Sequence, residues 1–170
     1  MAVLSWGECL ITHAISVDGY PASAWGGVDT PKEDTTKLTT TSGSEQLATR
    51  EGGSAVDARY NRSNYQLEFD IFVQKGMPRP FSDEDGNIVG EHAFRISPEG
   101  EGCEGIQIDR CKLRVEETYT TAEGKLLHYV AKILRPAQGK SVKPFTDSKA
   151  VRMYISTEMR LLSTGYMRLN

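Results

Sequence analysis

Groups able to do chemistry are few in this chain and lie far apart. The three histidines, His13, His92 and His128, fall on separate stretches, and none has a second His, a Cys or an acid beside it at ligand spacing. A zinc site therefore has no local support, and the rings read as structural histidines. Cys9, Cys103 and Cys111 are an odd count without CxxC spacing, which suits a reducing compartment and free thiols that pack as small apolar groups. Cys103 and Cys111 could meet across a hairpin, and either could be imagined as a nucleophile with His128 as its base, but no turn signature presents an activated thiol.

The other chemical patterns also stop short. Asp83-Glu84-Asp85-Gly86-Asn87 resembles the opening of a calcium loop, yet the twelfth position, where an EF-hand closes on glutamate, holds Phe94. A solvated acidic turn is the simpler reading. Gly52-Gly53, Gly100, Gly102 and Gly105 stand in neither a GxGxxG nor a P-loop frame and read as turn glycines. Glu116 and Glu117 are neighbours in a strand, so they point to opposite faces and cannot share one substrate as acid and base. The expectation is a protein without catalytic residues, metal or cofactor.

The elements around these groups are β-rich. Residues 8–17 alternate apolar and polar side chains until Asp18-Gly19, and residues 20–32, with Pro21, Gly26, Gly27 and Pro31, read as a loop. The cleanest period-two signal sets Tyr65, Leu67, Phe69, Ile71 and Val73 against Gln66, Glu68, Asp70, Phe72 and Gln74, the mark of a core strand. Residues 81–90 are acidic and fit either a short helix or a loop. Strands are expected at 93–97, 106–115 and 126–134, the last two joined by a turn at 121–124. Within 106–115 the apolar face switches midway, from Ile106 and Ile108 to Cys111, Leu113 and Val115, which predicts a β-bulge near Arg110.

Residues 34–41 hold five threonines, a composition that favours a polar strand. With Ser42-Gly43-Ser44 as a turn and residues 45–50 running back, they predict a hairpin too polar to belong wholly to the protomer's own core. Thr35, Thr36, Lys37, Leu38, Thr39, Thr40, Thr41 and Leu47 are the candidate assembly residues. Residues 29–53 are expected to swing out from an isolated subunit, and deletion of 36–48 to spare its folding. The domain organisation expected is a β domain over 1–146 and a tail over 147–170. In that tail Val151, Tyr154, Ile155, Met159 and Leu162 recur at helical spacing, with Asp147 or Ser148 as N-cap, although its β-branched and aromatic content also permits a strand.

At 170 residues and 38% hydrophobic content the chain can build one core, and its formal charge of -3 gives no reason to expect tight binding of a phosphate backbone. The start of the sequence lacks the pattern of a secretory leader, and the longest apolar-leaning run, 126–134, is too short for a helical membrane span.

The run Asp29-Thr30-Pro31-Lys32-Glu33-Asp34-Thr35-Thr36-Lys37-Leu38-Thr39-Thr40-Thr41, then Arg50-Glu51-Gly52-Gly53, Asp57-Ala58-Arg59-Tyr60 and Tyr65-Gln66-Leu67-Glu68-Phe69, resembles tail tube proteins of long-tailed phages and prophages. The likeness continues through Ile106-Gln107-Ile108-Asp109-Arg110 and Val115-Glu116-Glu117-Thr118-Tyr119, covering roughly residues 6–136. It implies a mainly β subunit, a β-sandwich or half-barrel with a small flanking helix. Such subunits close into homohexameric rings that stack into a tube, meet other tail proteins, and let DNA pass without specific binding. Assembly would take place in the host cytoplasm, with the virion tail as destination. A related tube of a type VI-like secretion apparatus would share fold and ring. From a different class, a β-sandwich module binding carbohydrate or a protein ligand would use Trp6, Trp25 and Tyr20 as stacking platforms.

Overall fold

A computed structural model of the protein describes residues 2–146. Eleven strands run in chain order: β1 (Leu10–Val17), β2 (Tyr20–Pro21), β3 (Gly26–Gly27), β4 (Lys37–Thr41), β5 (Glu45–Thr49), β6 (Ala55–Tyr60), β7 (Asn64–Phe72), β8 (Glu91–Ser97), β9 (Gly105–Thr120), β10 (Gly124–Ile133) and β11 (Lys143–Phe145). Nine of them form one sheet in the order β2-β1-β8-β9-β10-β7-β4, with β3 beside β1 and β11 beside β9. The remaining two, β5 and β6, form a separate two-stranded ribbon. Every pairing is antiparallel.

The sheet curls into a half-barrel. Strands β8 and β7 have β9 and β10 between them, which in a flat sheet sets them roughly 14 Å apart, yet the rings of Phe94 and Phe69 lie 5.9 Å apart. The concave face gathers Ile11 from β1, Phe94 from β8, Ile108 and Leu113 from β9, Leu127 and Tyr129 from β10, and Leu67, Phe69 and Ile71 from β7, all buried. Phe69 stacks on Tyr129 at 5.3 Å, an arrangement favoured by the ring quadrupoles. The alternation read along 65–73 is thus the core face of β7, and the half-barrel is the alternative realised.

The expected bulge is present and has a clear consequence. His92 pairs with Cys111 and Phe94 with Ile108, so one residue on β8 faces two, Asp109 and Arg110, on β9. The extra residue turns Cys111, Leu113 and Val115 inward where Ile106 and Ile108 had pointed inward before it. The hairpin from β9 into β10 pairs Thr120 with Gly124, as expected for the 121–124 turn. The 20–32 loop adds two short strands along β1, and Asp18-Gly19, both at positive φ, makes the tight β1–β2 turn.

Two expectations need correction. The flanking helix is absent from the described residues, and 81–90 takes the loop alternative, with a tight turn at Asp85-Gly86. Asp85 and Gly86 adopt left-handed φ, Gly86 N donates to Asp83 Oδ2, and Val115 N donates to Gly86 O at 2.9 Å. The segment follows Pro78 and Pro80 and helps to satisfy the open edge of β9, which a helix would leave unpaired. The second correction concerns the predicted hairpin of 34–41 with 45–50. These stretches do not pair with one another: β4 pairs with β7, and β5 with β6. The helix expected in 147–170 lies outside the described residues.

Candidate assembly surface

Register explains what replaces the predicted hairpin. Lys37 faces Glu68 and Thr41 faces Asn64 in the sheet, and beyond a short interruption Glu45 faces Tyr60 and Ala48 faces Asp57. Each pair of numbers sums to the same value, so β4–β5 and β6–β7 are the two sides of one long ribbon. Its lower part is the edge of the half-barrel and its upper part projects beyond it, by roughly 25 Å at the usual rise per residue. Asn61 N donates to Ser44 O at 2.9 Å and Asn61 Nδ2 to Ser44 Oγ at 2.6 Å, which bridges the interruption. The ribbon turns at Gly52-Gly53, both at positive φ, where Arg50 N donates to Ser54 O at 3.0 Å.

Ser42-Gly43-Ser44 is therefore an interruption within one strand of the ribbon and not a turn. A Cβ at Gly43 would lie 2.1 Å from Asn61 O and 2.6 Å from Arg62 O, so the glycine permits the opposite backbone to approach.

Every residue of β5 and β6 is exposed. Cross-strand neighbours share a face, which places Leu47 and Ala58 together with Glu45 and Tyr60, while Val56 is the unpaired residue of a β-bulge where the register shifts opposite Ala48 and Thr49. Leu47 and Val56 are each 55% exposed and Tyr60 69%. The opposite side carries Gln46, Arg59, Ala48 and Asp57. An isolated ribbon of two strands is marginal in water, and this one has an apolar side that no described residue covers.

The candidate residues separate into three groups. Thr35 belongs to the body: its Oγ1 donates to Lys32 O at 2.7 Å and accepts from Asp70 N at 3.2 Å. Lys37 pairs with Glu68 at 3.1 Å, a contact that holds the Glu68 carboxyl below its usual range, and Leu38 packs on the core. Thr36 lines a cavity of about 690 Å³ with Trp6, Cys9, Leu38, Ile96 and Ile106, and its Oγ1 is buried without a described partner. Thr39, Thr40 and Thr41 form the exposed end of β4, which among the described residues pairs only with β7 and so leaves one edge open. Leu47 alone sits on the projecting ribbon. The expectation that 36–48 could be removed without harm is corrected accordingly, since that deletion would take away β4 and Leu38.

Sequence reasoning missed Val56, Ala58 and Tyr60. Their alternation with Ala55, Asp57 and Arg59 immediately after Gly52-Gly53 was the available signal.

Elsewhere the dispersed groups are engaged locally. His128 Nδ1 bonds Asp70 on the neighbouring strand. Cys111 donates from Sγ to His92 O at 3.2 Å, and burial pushes its thiol up to about 12, which leaves little thiolate at neutral pH. All three cysteines are free. Of the three aromatics weighed as a stacking platform, Trp25 lies 4.1 Å from the Arg95 guanidinium, Tyr20 sits at the Val17 end of β1, and Trp6 lines the cavity beside Ile96 and Ile106. They do not come together. No protein-family model matches the chain, and comparison with curated proteins finds no match either.

Proposed function

We propose that this chain is a structural subunit that assembles with copies of itself, and specifically a tail tube protein of a long-tailed phage or prophage. The observation that carries the reading is the projecting ribbon, with Leu47, Ala58 and Tyr60 on one uncovered side and Val56 exposed at its bulge. A protein that holds such a face away from its own core in fixed register gains from it when another molecule buries it. A patch on one end of the protomer that docks on a different surface of the next makes a heterologous contact, and such contacts close into rings or propagate as tubes.

The open edge of β4 supports the same reading, because a ring built from β subunits satisfies edge N–H and C=O groups across its interfaces. The resemblance to tail tube proteins supplies the rest of the proposal: homohexameric rings, stacked, with other tail proteins at the ends and DNA passing through. The net charge of -3 suits a conduit that does not hold the DNA it carries. A tube of a secretion apparatus would use the same surfaces, and the ribbon supports it equally.

Negative-stain microscopy of the concentrated full-length protein tests the proposal. Rings or tubes are expected. A protein that stays monomeric at high concentration, or forms only closed two-fold dimers, would sink the reading.

A further inference from the structure

We propose that the segment linking β7 to β8, residues 73–90, is an acid-released latch over the concave face of the half-barrel, with the His13–His92 pair as its trigger. The proposal goes beyond assembly and does not depend on it.

Besides the backbone bonds from Val73 N to Lys125 O at 3.1 Å and from Val115 N to Gly86 O at 2.9 Å, the latch is fastened at four points. Phe81 inserts its ring among four others, 4.6 Å from His13, 5.7 Å from His92, 6.0 Å from Phe94 and 5.4 Å from Tyr129. Ile88 is buried beside Leu113, with Ile88 N donating to Leu113 O at 3.4 Å. Arg79 bonds Glu117, and Val89 O receives His92 Nε2 at 3.1 Å. Two of these fastenings, Phe81 and Val89, rest directly on the histidine pair.

The pair has only one arrangement of protons that satisfies it. His92 Nε2–H donates to Val89 O, so neutral His92 presents Nδ1 as an acceptor, and His13 Nε2–H fills it at 2.8 Å. Protonating His92 sets a donor against a donor until His13 shifts to its Nδ1–H tautomer, whose N–H then lacks a described acceptor. Protonating His13 places a cation under Phe81 and Phe94 with its Nδ1–H lacking a described acceptor.

The surrounding charges do not relieve either form. Lys112 on β9 adds positive charge toward His92. Glu91, beside His92 on β8, is engaged by the Arg110 guanidinium at 2.7 and 2.8 Å. The rings that meet the pair are Phe81 from the latch and Phe94 from β8, with Tyr129 and Phe69 packed behind them, and no carboxylate among the described residues bonds either imidazole.

Burial and the neighbouring His92 accordingly hold His13 down at about 4, and His92 is also lowered, chiefly by burial. An opened latch returns both rings toward their ordinary value near 6.5. The closed form is therefore fully favoured above pH 6.5 and loses ground as pH falls toward 4. If the whole His13 shift were realised, the opening equilibrium would rise about 60-fold between pH 7 and pH 4.5, and partial exposure of the ring reduces this to the order of tenfold.

Hydrogen-exchange mass spectrometry of the full chain at pH 7 and pH 4.5, corrected for intrinsic rates, tests the latch. Expected is a tenfold or greater loss of protection confined to 76–90, with the β9–β10 ladder still protected. His13→Gln, which keeps a donor for His92 without titrating, should abolish most of that loss. Equal protection of 76–90 at both pH values, simultaneous opening of β9–β10, or an unchanged pH response in the variant would each overturn the proposal. Should the variant not fold, the imidazole NMR titration of the wild type decides. His13 must titrate together with the latch amides, and titration near 6.5 without a latch response refutes the coupling.

Discussion

Replacing Leu47 and Val56 by threonine tests the ribbon without disturbing the protomer. Threonine keeps β-propensity and, at Val56, the side-chain shape, while removing exposed apolar surface from the ribbon. Both side chains are 55% exposed in the protomer, so a partner that buries the remainder gains roughly 1–1.5 kcal/mol from each. The double variant then weakens an arm contact by about 2–3 kcal/mol, or roughly 30- to 150-fold. In a tube each added subunit makes this contact once as donor, so the protein concentration needed for assembly should rise by a similar factor. Folding is a separate readout: surface changes of this kind stay within about 0.5 kcal/mol, which for a chain of this size is a shift of roughly 2 °C or less. Sedimentation velocity across a concentration series gives the first quantity and calorimetry the second. A large fall in melting temperature would mean that the protomer already covers this face. Unchanged assembly would mean that the face is not the contact.

Three shorter predictions follow from other parts of the molecule. Gly43→Ala forces a Cβ onto the Asn61 and Arg62 backbone, so it should redirect the ribbon and abolish assembly while the circular dichroism of the half-barrel persists; normal tubes from this variant would refute the close approach at Gly43. Phe69→Ala removes a fully buried ring stacked on Tyr129 and should cost about 3–5 kcal/mol in urea unfolding, and a loss below about 1.5 kcal/mol would place the core elsewhere. Alkylation of the native protein at pH 8 should modify partly exposed Cys9 well before Cys111, whose thiol burial raises to about 12; equal rates would contradict the assigned burial.

The sequence was most legible where one face of a strand is buried. The alternation at 65–73 and the switch of face near Arg110 both record the concave core directly, because a residue that points inward there must be apolar. Legibility failed where the same local chemistry serves two geometries. Ser42-Gly43-Ser44 reads as a turn, but Gly43 is small because a backbone approaches it, and the spacing that distinguishes the cases is set by Asn61, many residues away. The 81–90 segment was ambiguous for a similar reason, since it is shaped by hydrogen bonds to Gly86 and Ile88 from a distant strand. Histidine pairing was illegible altogether: His13 and His92 are far apart in sequence and meet only because β1 and β8 are neighbours.

The end of the described chain is held by a different device, which charge alone does not explain. The Arg95 guanidinium lies between two rings, 4.1 Å from Trp25 and 4.6 Å from Phe145, while its Nε donates to Gln107 Oε1 at 3.0 Å. Desolvation lowers its pKa, yet arginine stays charged at any physiological pH. Three separated segments, the β2–β3 loop, β8 and β11, thus converge on one planar cation. β11 itself is only three residues long, so its ladder to β9 and the Lys143–Asp109 pair must be supplemented by this sandwich. Arg95→Lys retains the charge but loses the planar stack and the directed Nε bond, and the two ring contacts together are worth about 1–3 kcal/mol. Expected are faster amide exchange confined to Lys143–Phe145 and a red-shifted Trp25 emission, read in a Trp6→Phe background to isolate that indole. Were Arg95→Lys to leave the exchange of β11 unchanged, Lys143–Asp109 and the short ladder would suffice, and the stacked guanidinium would have no part in fixing the end of the sheet.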